Sequence, residues 1–184
     1  MRGGSNDEAL LRRAADGDPD AFGTLVERHA GVARRVARAI LEDPHDADDA
    51  AQEAFLAAWK AIDRYDPRQP FEPWLVRIVV NEARDLRRRR TVRVTSAIPP
   101  SVTAPGAGPD AEAHAGLLND RLRAALAALP ERQRIAVTLF DAEGWAHAEI
   151  AGLLGVPEGT VRSELHHGRR ALRTALAGLW KERE

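Results

Sequence analysis

Residues 149–163 read EIAGLLGVPEGTVRS, and this stretch decides the fold of the last third of the chain. Ile150 and Val161 fall where two crossing helices must bury apolar contacts, and Ala151 is small where the helices approach. Gly155 stands where the chain leaves the first helix, a position that favours left-handed backbone. The spacing therefore predicts a helix-turn-helix, a motif in which the first helix presents the second to DNA.

The second helix of this motif has two contrasting faces. Its basic face recurs at steps of three and four residues and consists of Arg162, His166, Arg169 and Arg173. The opposite face is apolar and consists of Val161, Leu165, Leu172 and Leu176. An ordinary helical hairpin with a glycine turn is the alternative, but it leaves the basic face unexplained.

Length and composition indicate a small binding protein. The 184 residues suffice for one large or two small domains. No run approaches the ~18 apolar residues of a membrane span, and the polar start of the chain has no signal-peptide core. The absence of cysteine excludes a disulfide framework and cysteine-ligated zinc. We therefore expect a soluble, cytoplasmic protein that is not inserted in a membrane.

Opposite charges are separated along the chain, although the formal net charge is only -1. The segment Glu42–Glu53 holds six acidic residues and no Lys or Arg. The segment Arg84–Arg93 holds six Arg against one Asp. The separation predicts an acidic surface for one partner and basic surfaces for another.

Almost every local signal is helical, which predicts an all-α fold. Asp18-Pro19 and Asp43-Pro44 each look like an N-cap followed by proline at the first helical position. We expect three helices over residues 19–41, 44–63 and 71–90. Further helices are expected to begin near Leu117, Glu131, Ala146 and Glu158.

Prolines and glycines between Thr91 and Gly116 interrupt the helical periodicity: Pro99, Pro100, Pro105, Gly106, Gly108 and Pro109. This composition predicts an extended linker. The chain then divides into a domain over residues 1–90, a linker over 91–116 and a second domain over 117–184.

The predicted helix from Phe71 to Arg90 carries a second basic face. Its apolar stripe consists of Phe71, Trp74, Leu75, Ile78, Val79 and Leu86. Its polar face consists of Arg77, Asn81, Arg84 and Arg88. Arginines suit phosphates, and an asparagine suits a base or backbone edge, so the face is typical of nucleic-acid binding. A solvated basic helix end favoured by the helix dipole is the alternative.

The loop that precedes this helix, from Tyr65 to Phe71, offers aromatic rings and Arg68 in a proline-rich frame. Such a loop could hold an unstacked base. The alternative is that the aromatic side chains belong to the core, as we expect for Trp59 and Trp74.

Four motifs together resemble a known family. They are DADDAAQEAFLAAW at 46–59, FEPWLVRIVVN at 71–81, LPERQR at 129–134 and the helix-turn-helix. In order and spacing they are similar to an extracytoplasmic-function (ECF) sigma factor of bacterial RNA polymerase, from about Ala9 to Leu179. The resemblance implies a region 2 helical bundle that melts the promoter's minus-ten element. It also implies a linker that threads the polymerase and a region 4 helix-turn-helix that reads the minus-35 element.

The same resemblance implies partners for the two charged surfaces. Asp49, Gln52 and Glu53 match the family's surface for the coiled coil of the polymerase's largest subunit. Leu56 shares a helical face with Asp49 and Glu53, which suggests a contact point. The implied partners are core RNA polymerase, promoter DNA and an anti-sigma factor. No cofactor and no enzymatic activity are implied.

Resemblance also assigns the DNA-facing residues. At minus-ten they are Asn81 and the loop with Tyr65 and Arg68, to which the spacing of the α-helical face adds Arg77, Arg84 and Arg88. At minus-35 they are Arg162, Ser163, His166 and His167, to which the same helix adds Thr160 and Arg169. The chain departs from the family at Glu164, where a basic residue is expected, and at His167-Gly168, where Arg-Ala is common. These departures bear on the strength and sequence preference of minus-35 binding.

Other chemistry is not indicated by the sequence. His166 and His167 are adjacent and point about 100° apart on a helix, so they make a poor metal pair. No phosphate-binding glycine loop or nucleophile motif is present. Two alternatives to a sigma factor remain, a sigma-like decoy that binds a sigma antagonist and a stand-alone helix-turn-helix regulator. A sigma factor directs transcription only together with polymerase, so dependence on polymerase distinguishes it from both alternatives.

Overall fold

The computed structural model describes residues 4–66, 68–96 and 111–181, with side chains over 7–66, 68–92 and 119–177. Within these ranges the chain forms eight α-helices and no strand, which confirms the predicted all-α fold. The helices are α1 Gly4–Ala15, α2 Pro19–Arg38, α3 Pro44–Ala61, α4 Phe71–Ser96, α5 Ala111–Ala127, α6 Glu131–Val137, α7 His147–Leu154 and α8 Glu158–Lys181. They divide into two compact units, residues 1–89 and 90–184.

Two aspartates begin helices in the N-terminal unit, as predicted. The Asp18 carboxylate accepts hydrogen bonds from the backbone N–H groups of Asp20 and Ala21, at 3.0 and 3.1 Å. The Asp43 carboxylate accepts from the next two N–H groups of α3 in the same way. Each cap is followed by proline at the first helical position. These contacts satisfy amide groups that have no partner inside the helix.

The core of the N-terminal unit is built from small and branched apolar side chains. On α2 and α3 many of the buried positions are alanine, which lets the two helices approach closely. On α4, Leu75, Val76 and Val79 are fully buried. Three members of the predicted apolar stripe, Trp74, Ile78 and Leu86, are only half-buried, because Val76, Val80 and Ala83 complete the buried side of the helix instead. This packing leaves the opposite face of α4 at the surface.

A buried charged cluster joins the first turn of α4 to α1 and α2. Nε2 of His29 lies 3.0 Å from a carboxylate oxygen of Asp7, and Nδ1 lies 3.6 Å from a carboxylate oxygen of Glu72. Arg28 also pairs with Asp7, at 2.7 Å. Burial lowers the pKa of His29, but Glu72 and Asp7 together outweigh burial and raise this pKa above its ordinary value.

Helix boundaries differ from the prediction at the start of the chain and at the end of α2. Helix α1 was not predicted, and it buries Leu11 and Ala14 against the unit. Helix α2 ends at Arg38 rather than near Leu41, while Leu41 remains buried. An apolar residue after a helix end extends the hydrophobic pattern without extending the helix, which explains the second difference.

Both ends of the predicted linker are helical. Helix α4 continues past Arg90 to Ser96, and α5 begins at Ala111 rather than Leu117. No proline interrupts the first of these extensions, and alanine and glutamate favour the second. The remainder of the predicted linker, residues 97–110, lies outside the described residues.

The C-terminal unit packs α6 and α7 against α8. Ile135, Ile150 and Val161 are fully buried where the three helices meet. Arg134 is buried as well and donates a hydrogen bond to the Ala127 carbonyl oxygen at 2.9 Å, which ties α6 to the end of α5. Between α6 and α7 the chain makes a π-helical turn, Thr138–Ala142.

The turn of the helix-turn-helix has the predicted backbone. Gly155 ends α7 with φ of 65°, in the left-handed region that side chains with a Cβ rarely adopt. Its N–H group donates to the Ala151 carbonyl oxygen. The chain is thereby redirected into α8 within three residues.

Candidate interfaces for a partner protein and for DNA

Three of the six acidic residues over 42–53 are used within the fold. Asp43 caps α3, and Asp46 is only 4% exposed. The Asp48 carboxylate lies 3.5 Å from the Arg38 guanidinium of α2. The acidic surface is therefore narrower than the run of acids in the sequence suggests.

The four residues predicted to meet core polymerase lie together on the exposed side of α3: Asp49, Gln52, Glu53 and Leu56. Leu56 is 52% exposed. Within the described part of the chain, neither Asp49 nor Glu53 forms an ion pair. A large apolar side chain beside two unpaired carboxylates is suited to a partner that is apolar at its centre and basic around it.

An apolar groove of about 450 Å³ borders this surface between α2 and α3. It is lined by Pro19, Phe22, Val26, Gln52, Phe55, Leu56 and Trp59. Trp59 was expected in the core, but it is only half-buried and its ring centroid lies 4.9 Å from that of Phe22. The pairs 22/26 and 55/59, each four residues apart on successive helices, are the signal from which the groove could have been predicted.

Helix α4 places its predicted DNA face at the surface. Arg77, Asn81 and Arg88 are exposed, and Arg84 is half-buried. The side-chain amide of Asn81 forms no hydrogen bond to any part of the chain that the structure describes. Arg88 pairs with Asp85 at 3.1 Å. The face thus offers an unengaged amide between basic side chains, which suits a base edge flanked by phosphates.

The loop before α4 is more constrained than its sequence suggests. The Tyr65 ring packs against Phe71 and Trp74, with centroids 5.8 and 5.0 Å away. Its hydroxyl group donates to the Gln69 carbonyl oxygen. Burial, and then nearby carboxylates, raise the pKa of Tyr65. The Arg68 side chain, in contrast, is exposed. Tyr65 therefore holds the loop, and Arg68 is the better placed of the two to reach DNA.

Helix α8 exposes nearly all of the residues predicted to face the minus-35 element. Arg162, Ser163, His166, His167 and Arg169 are exposed, and Thr160 is half-buried. Nη2 of Arg162 lies 2.5 Å from a carboxylate oxygen of Glu158, one turn earlier on the same helix. Both partners of this pair are exposed, so water screens it and a base edge can replace Glu158 at little cost.

Arg169 is held by a different element. Its Nε donates to Asp141 at 2.9 Å, its Nη2 donates to the second carboxylate oxygen, and its guanidinium carbon lies 4.9 Å from the centroid of the Phe140 ring. The hydrogen bonds to Asp141 raise the pKa of Arg169. Asp141 and Phe140 lie 28 and 29 residues earlier in the chain, and no sequence signal pointed to them.

Gly168 and Glu164, the two positions at which the chain departs from the family pattern, are packed to different extents. Gly168 is buried, and a Cβ built on it would lie 2.9 Å from Cγ2 of Val137 on α6. This glycine therefore allows α8 to approach α6 and faces away from the exposed basic side. Glu164 is half-buried at the edge of the packed face.

Two other kinds of site receive no support. Among the described residues, no group of three or more His, Cys, Asp or Glu side chains is arranged to hold a metal ion. None of the helices in the described ranges combines the length and the apolar character needed to cross a membrane.

Both units match parts of one protein family. The family description "Sigma-70 region 2" matches residues 25–93, within which α3 and most of α4 lie. The description "Sigma-70, region 4" matches residues 119–172, which include the helix-turn-helix. The two matches fall on the two units in the order that the sequence motifs predicted.

Curated relatives extend these matches over almost the whole chain. RNA polymerase sigma factor NccH from Alcaligenes xylosoxydans xylosoxydans is 39% identical over 177 residues, which are 94% of this chain and 95% of that protein. ECF RNA polymerase sigma factor SigE from Mycolicibacterium smegmatis is 40% identical over 83% of this chain and 60% of its own length. The identity to NccH, over nearly the full length of both chains, shows a common family.

Solved structures with this fold include sigma factors in complex with other proteins. CnrH in complex with the cytosolic domain of CnrY superposes with a TM-score of 0.70 at 31% identity, covering 94% of this chain and 97% of that one. The sigma factor RpoE in complex with the anti-sigma factor NepR from Bartonella quintana has a TM-score of 0.69 at 23% identity, which supports the fold alone.

Proposed function

This chain belongs to the sigma-70 family as an extracytoplasmic-function sigma factor, and from that premise we propose how its surfaces divide the work of transcription initiation. The chain binds core RNA polymerase and directs it to promoters by recognising a minus-35 and a minus-ten element. It catalyses no reaction of its own, and it acts in the cytoplasm, where the polymerase is. The first domain, residues 1–90, binds the polymerase and recognises the minus-ten element. Residues 91–116 link it to the second domain, residues 117–184, which recognises the minus-35 element.

One observation carries this proposal: each family region exposes the surface that its role requires. The region 2 match exposes an acidic and apolar face on α3 and a basic face with Asn81 on α4. The region 4 match exposes the basic face of α8. A stand-alone regulator would need the last of these surfaces but not the first.

At minus-35, α8 enters the major groove and Arg162 reads a base. Residues in the first turns of a recognition helix are the ones that reach base edges, and Arg162 is the fifth residue of α8. Ser163, His166 and His167 add polar contacts from the same exposed side. Arg169 lies two turns further along, where the helix leaves the groove.

At minus-ten, Asn81 contacts a base that has left the stack, and the arginines on either side hold phosphates. Extruding a base costs roughly a few kcal/mol, which contacts to the extruded base must offset. Support comes from the exposed and unengaged amide of Asn81. Arg68 on the adjoining loop covers the extruded base, while the packed Tyr65 keeps the loop in place.

The α3 surface of Asp49, Gln52, Glu53 and Leu56 binds core polymerase. Its charge requires basic groups on the partner, and Leu56 supplies an apolar contact at its centre. We also propose an anti-sigma partner for this chain, because CnrH, a sigma factor 31% identical to it, is bound to a second protein, the cytosolic domain of CnrY, in its solved structure.

Transcription with purified core polymerase on a library of random promoters tests this function. Run-off products from a defined promoter class, seen only when both proteins are present, are the expected result. Tight, specific footprints by the free chain would instead indicate a stand-alone regulator. Binding to an antagonist without transcription from any library member would indicate a decoy.

Charge reversal tests the polymerase-binding surface separately. Asp49→Lys and Glu53→Lys are each expected to weaken core binding about tenfold in a pull-down titration, since close charge pairs couple strongly across interfaces. Asp120→Lys is the matched control, because Asp120 is an exposed acid in the other unit. Unchanged affinity for core in both α3 variants would refute the assignment.

A further inference from the structure

The contacts of Arg169 differ in kind from those of the other arginines on α8. Two consecutive residues of the π-helical turn, Phe140 and Asp141, contact the same guanidinium group. The Phe140 ring also contacts His147 at the start of α7, with ring centroids 4.7 Å apart. Arg169 is thus held by two side chains of the π-helical turn, one of which, Phe140, is itself packed against α7.

This arrangement leaves part of the guanidinium group available. Asp141 engages Nε and one hydrogen of Nη2, and a guanidinium carries five N–H donors. Within the described residues, Nη1 forms no hydrogen bond. The Arg169 side chain remains 44% exposed. Three donors are therefore free, and they are on a side chain whose orientation is already set.

Position along the helix indicates what these donors meet. Arg169 lies seven residues after Arg162, about 10 Å further along the axis. The major groove is only about 12 Å wide, so a side chain at this distance from the base-reading residue lies near the backbone at the edge of the groove. The free donors fit the oxygens of a phosphate.

We propose that Asp141 is a positioning residue for promoter binding: it fixes Arg169 so that the free guanidinium donors meet a backbone phosphate beside the minus-35 element. This proposal rests on the proposed function of the C-terminal unit. An acidic residue near DNA would ordinarily weaken binding through repulsion. Here the same carboxylate strengthens binding, because a preorganised arginine loses less freedom when it meets the phosphate.

The opposite signs of these two effects define the test. Holoenzyme is assembled from core polymerase and the full chain, and its affinity is measured for a duplex promoter from the library selection. Asp141→Asn removes the negative charge but keeps the shape of the side chain. We expect it to weaken binding about threefold to tenfold, although simple repulsion predicts tighter binding. Tighter or unchanged binding would overturn the proposal.

A double-mutant cycle separates positioning from a general structural role. Arg169→Gln is expected to weaken binding about tenfold. It should also make the fall of log affinity with log salt less steep, by about one in the slope. In the Arg169→Gln background, Asp141→Asn is expected to cause no further loss. An equal loss with and without Arg169 would show that Asp141 acts on the fold instead, and would overturn the proposal.

Two controls keep the result interpretable. On a promoter fragment truncated to exclude the minus-35 element, all variants should bind alike, because the phosphate that Arg169 contacts is missing. Arg162→Ala reports on the proposed function: lost minus-35 preference in this variant, together with no effect of Arg169→Gln, would overturn the proposal for Asp141 alone. If Arg162→Ala and Arg169→Gln both kept the dependence on the minus-35 element shown by the unchanged chain, the proposed function would be overturned as well.

Discussion

The two proposed DNA-facing helices, α4 and α8, have basic faces with the same residue spacing but differ in what their side chains contact. On α4, the side chains of Arg77 and Asn81 are exposed and form no hydrogen bond or ion pair with the described part of the chain. On α8, Arg162 pairs with Glu158 and Arg169 with Asp141. The same spacing thus leaves part of the face open on α4, at Arg77 and Asn81, although Arg88 pairs with Asp85 there, whereas Arg162 and Arg169 on α8 are both balanced by acids.

This difference suits the two forms of promoter DNA. Positive charge binds duplex phosphates regardless of sequence, so acids that balance the arginines of α8 limit non-specific binding. An unstacked base exposes its hydrogen-bonding edge, and an amide without an internal partner can meet that edge directly. We therefore expect substitutions on α4 to affect melting and those on α8 to affect sequence preference.

The largest expected effect is that of Asn81→Ala on a duplex promoter. Because Asn81 offsets part of the cost of unstacking a base, its loss should reduce transcription from a duplex about tenfold or more. On a template mismatched at minus-ten that cost is already met, and the loss should be much smaller. Permanganate reactivity of the open bubble, measured beside transcript yield, checks both expectations.

Arg77→Gln provides the comparison on the same face of α4. A phosphate contact is present in duplex and pre-opened DNA, so this variant should weaken transcription from both templates alike. If Asn81→Ala left bubble formation and minus-ten base preference unchanged, Asn81 would be a structural residue and the contrast between the two helices would fail.

On α8, Arg162→Ala should cost about 1 to 3 kcal/mol of promoter binding and relax preference at one minus-35 base pair. Glu158→Gln is the companion variant. It frees Arg162 from its pair and removes a negative charge, so binding should tighten slightly without loss of base preference. Competition binding against a set of single-base minus-35 variants measures both. A uniform loss across the set would make Arg162 a phosphate contact.

Helices α4 and α8 also differ in the elements that they pack against. Substitution of Gly168 tests how tightly α8 packs against α6. Gly168→Ala would place a Cβ 2.9 Å from Cγ2 of Val137, a β-branched side chain that cannot move aside easily. Overpacking of this kind costs about 1 to 3 kcal/mol, against a gain in helix propensity of roughly 1 kcal/mol. We expect a net loss of about 1 kcal/mol in the free energy of unfolding.

Two further variants make this prediction specific. Gly152→Ala on α7 is the control, since a Cβ there would meet no atom within 4 Å, and it should stabilise the unit by up to about 1 kcal/mol. The double variant Val137→Ala, Gly168→Ala should recover stability lost in the single variant. Urea denaturation measures all three. Equal stabilisation by both glycine replacements would show that α6 and α8 do not restrict this site.

Local patterns were sufficient to predict most of this architecture. The Asp-Pro starts of α2 and α3, the left-handed Gly155 and the basic faces of α4 and α8 all depend on residues a few positions apart. The packing role of Gly168 could also have been predicted from the sequence. It lies three residues after Leu165 and four before Leu172, on the apolar stripe of α8, which indicates packing rather than DNA contact.

Long-range contacts were beyond that kind of reasoning. Asp141 and Arg169 are separated by 28 positions, and only the folded chain brings them together. The same holds for Asp7 and His29, and for the division of the acidic run into buried, capping and exposed residues. Periodicity identifies which face is polar, but it does not identify which polar side chains are already paired.

The smallest expected effect concerns His29, whose buried side chain contacts Glu72 and Phe71 in the first turn of α4. The pKa of His29 is raised in the folded chain because Glu72 and Asp7 outweigh the effect of burial. The folded state then binds a proton more tightly than the unfolded state does. The resulting stabilisation is fully present below the unfolded pKa of about 6.5 and is lost as pH rises through the folded pKa.

His29→Gln should therefore destabilise the chain most at mildly acidic pH. Free energies of unfolding for both proteins, from urea denaturation between about pH 5 and pH 8.5, give the difference as a function of pH. This difference should shrink as pH rises, while Arg28 still holds Asp7 in place. His45→Gln, at an exposed histidine of the same unit, is the matched control. A difference that stayed constant or grew with pH would show that His29 supports α4 by packing against Phe71 and not by its charge.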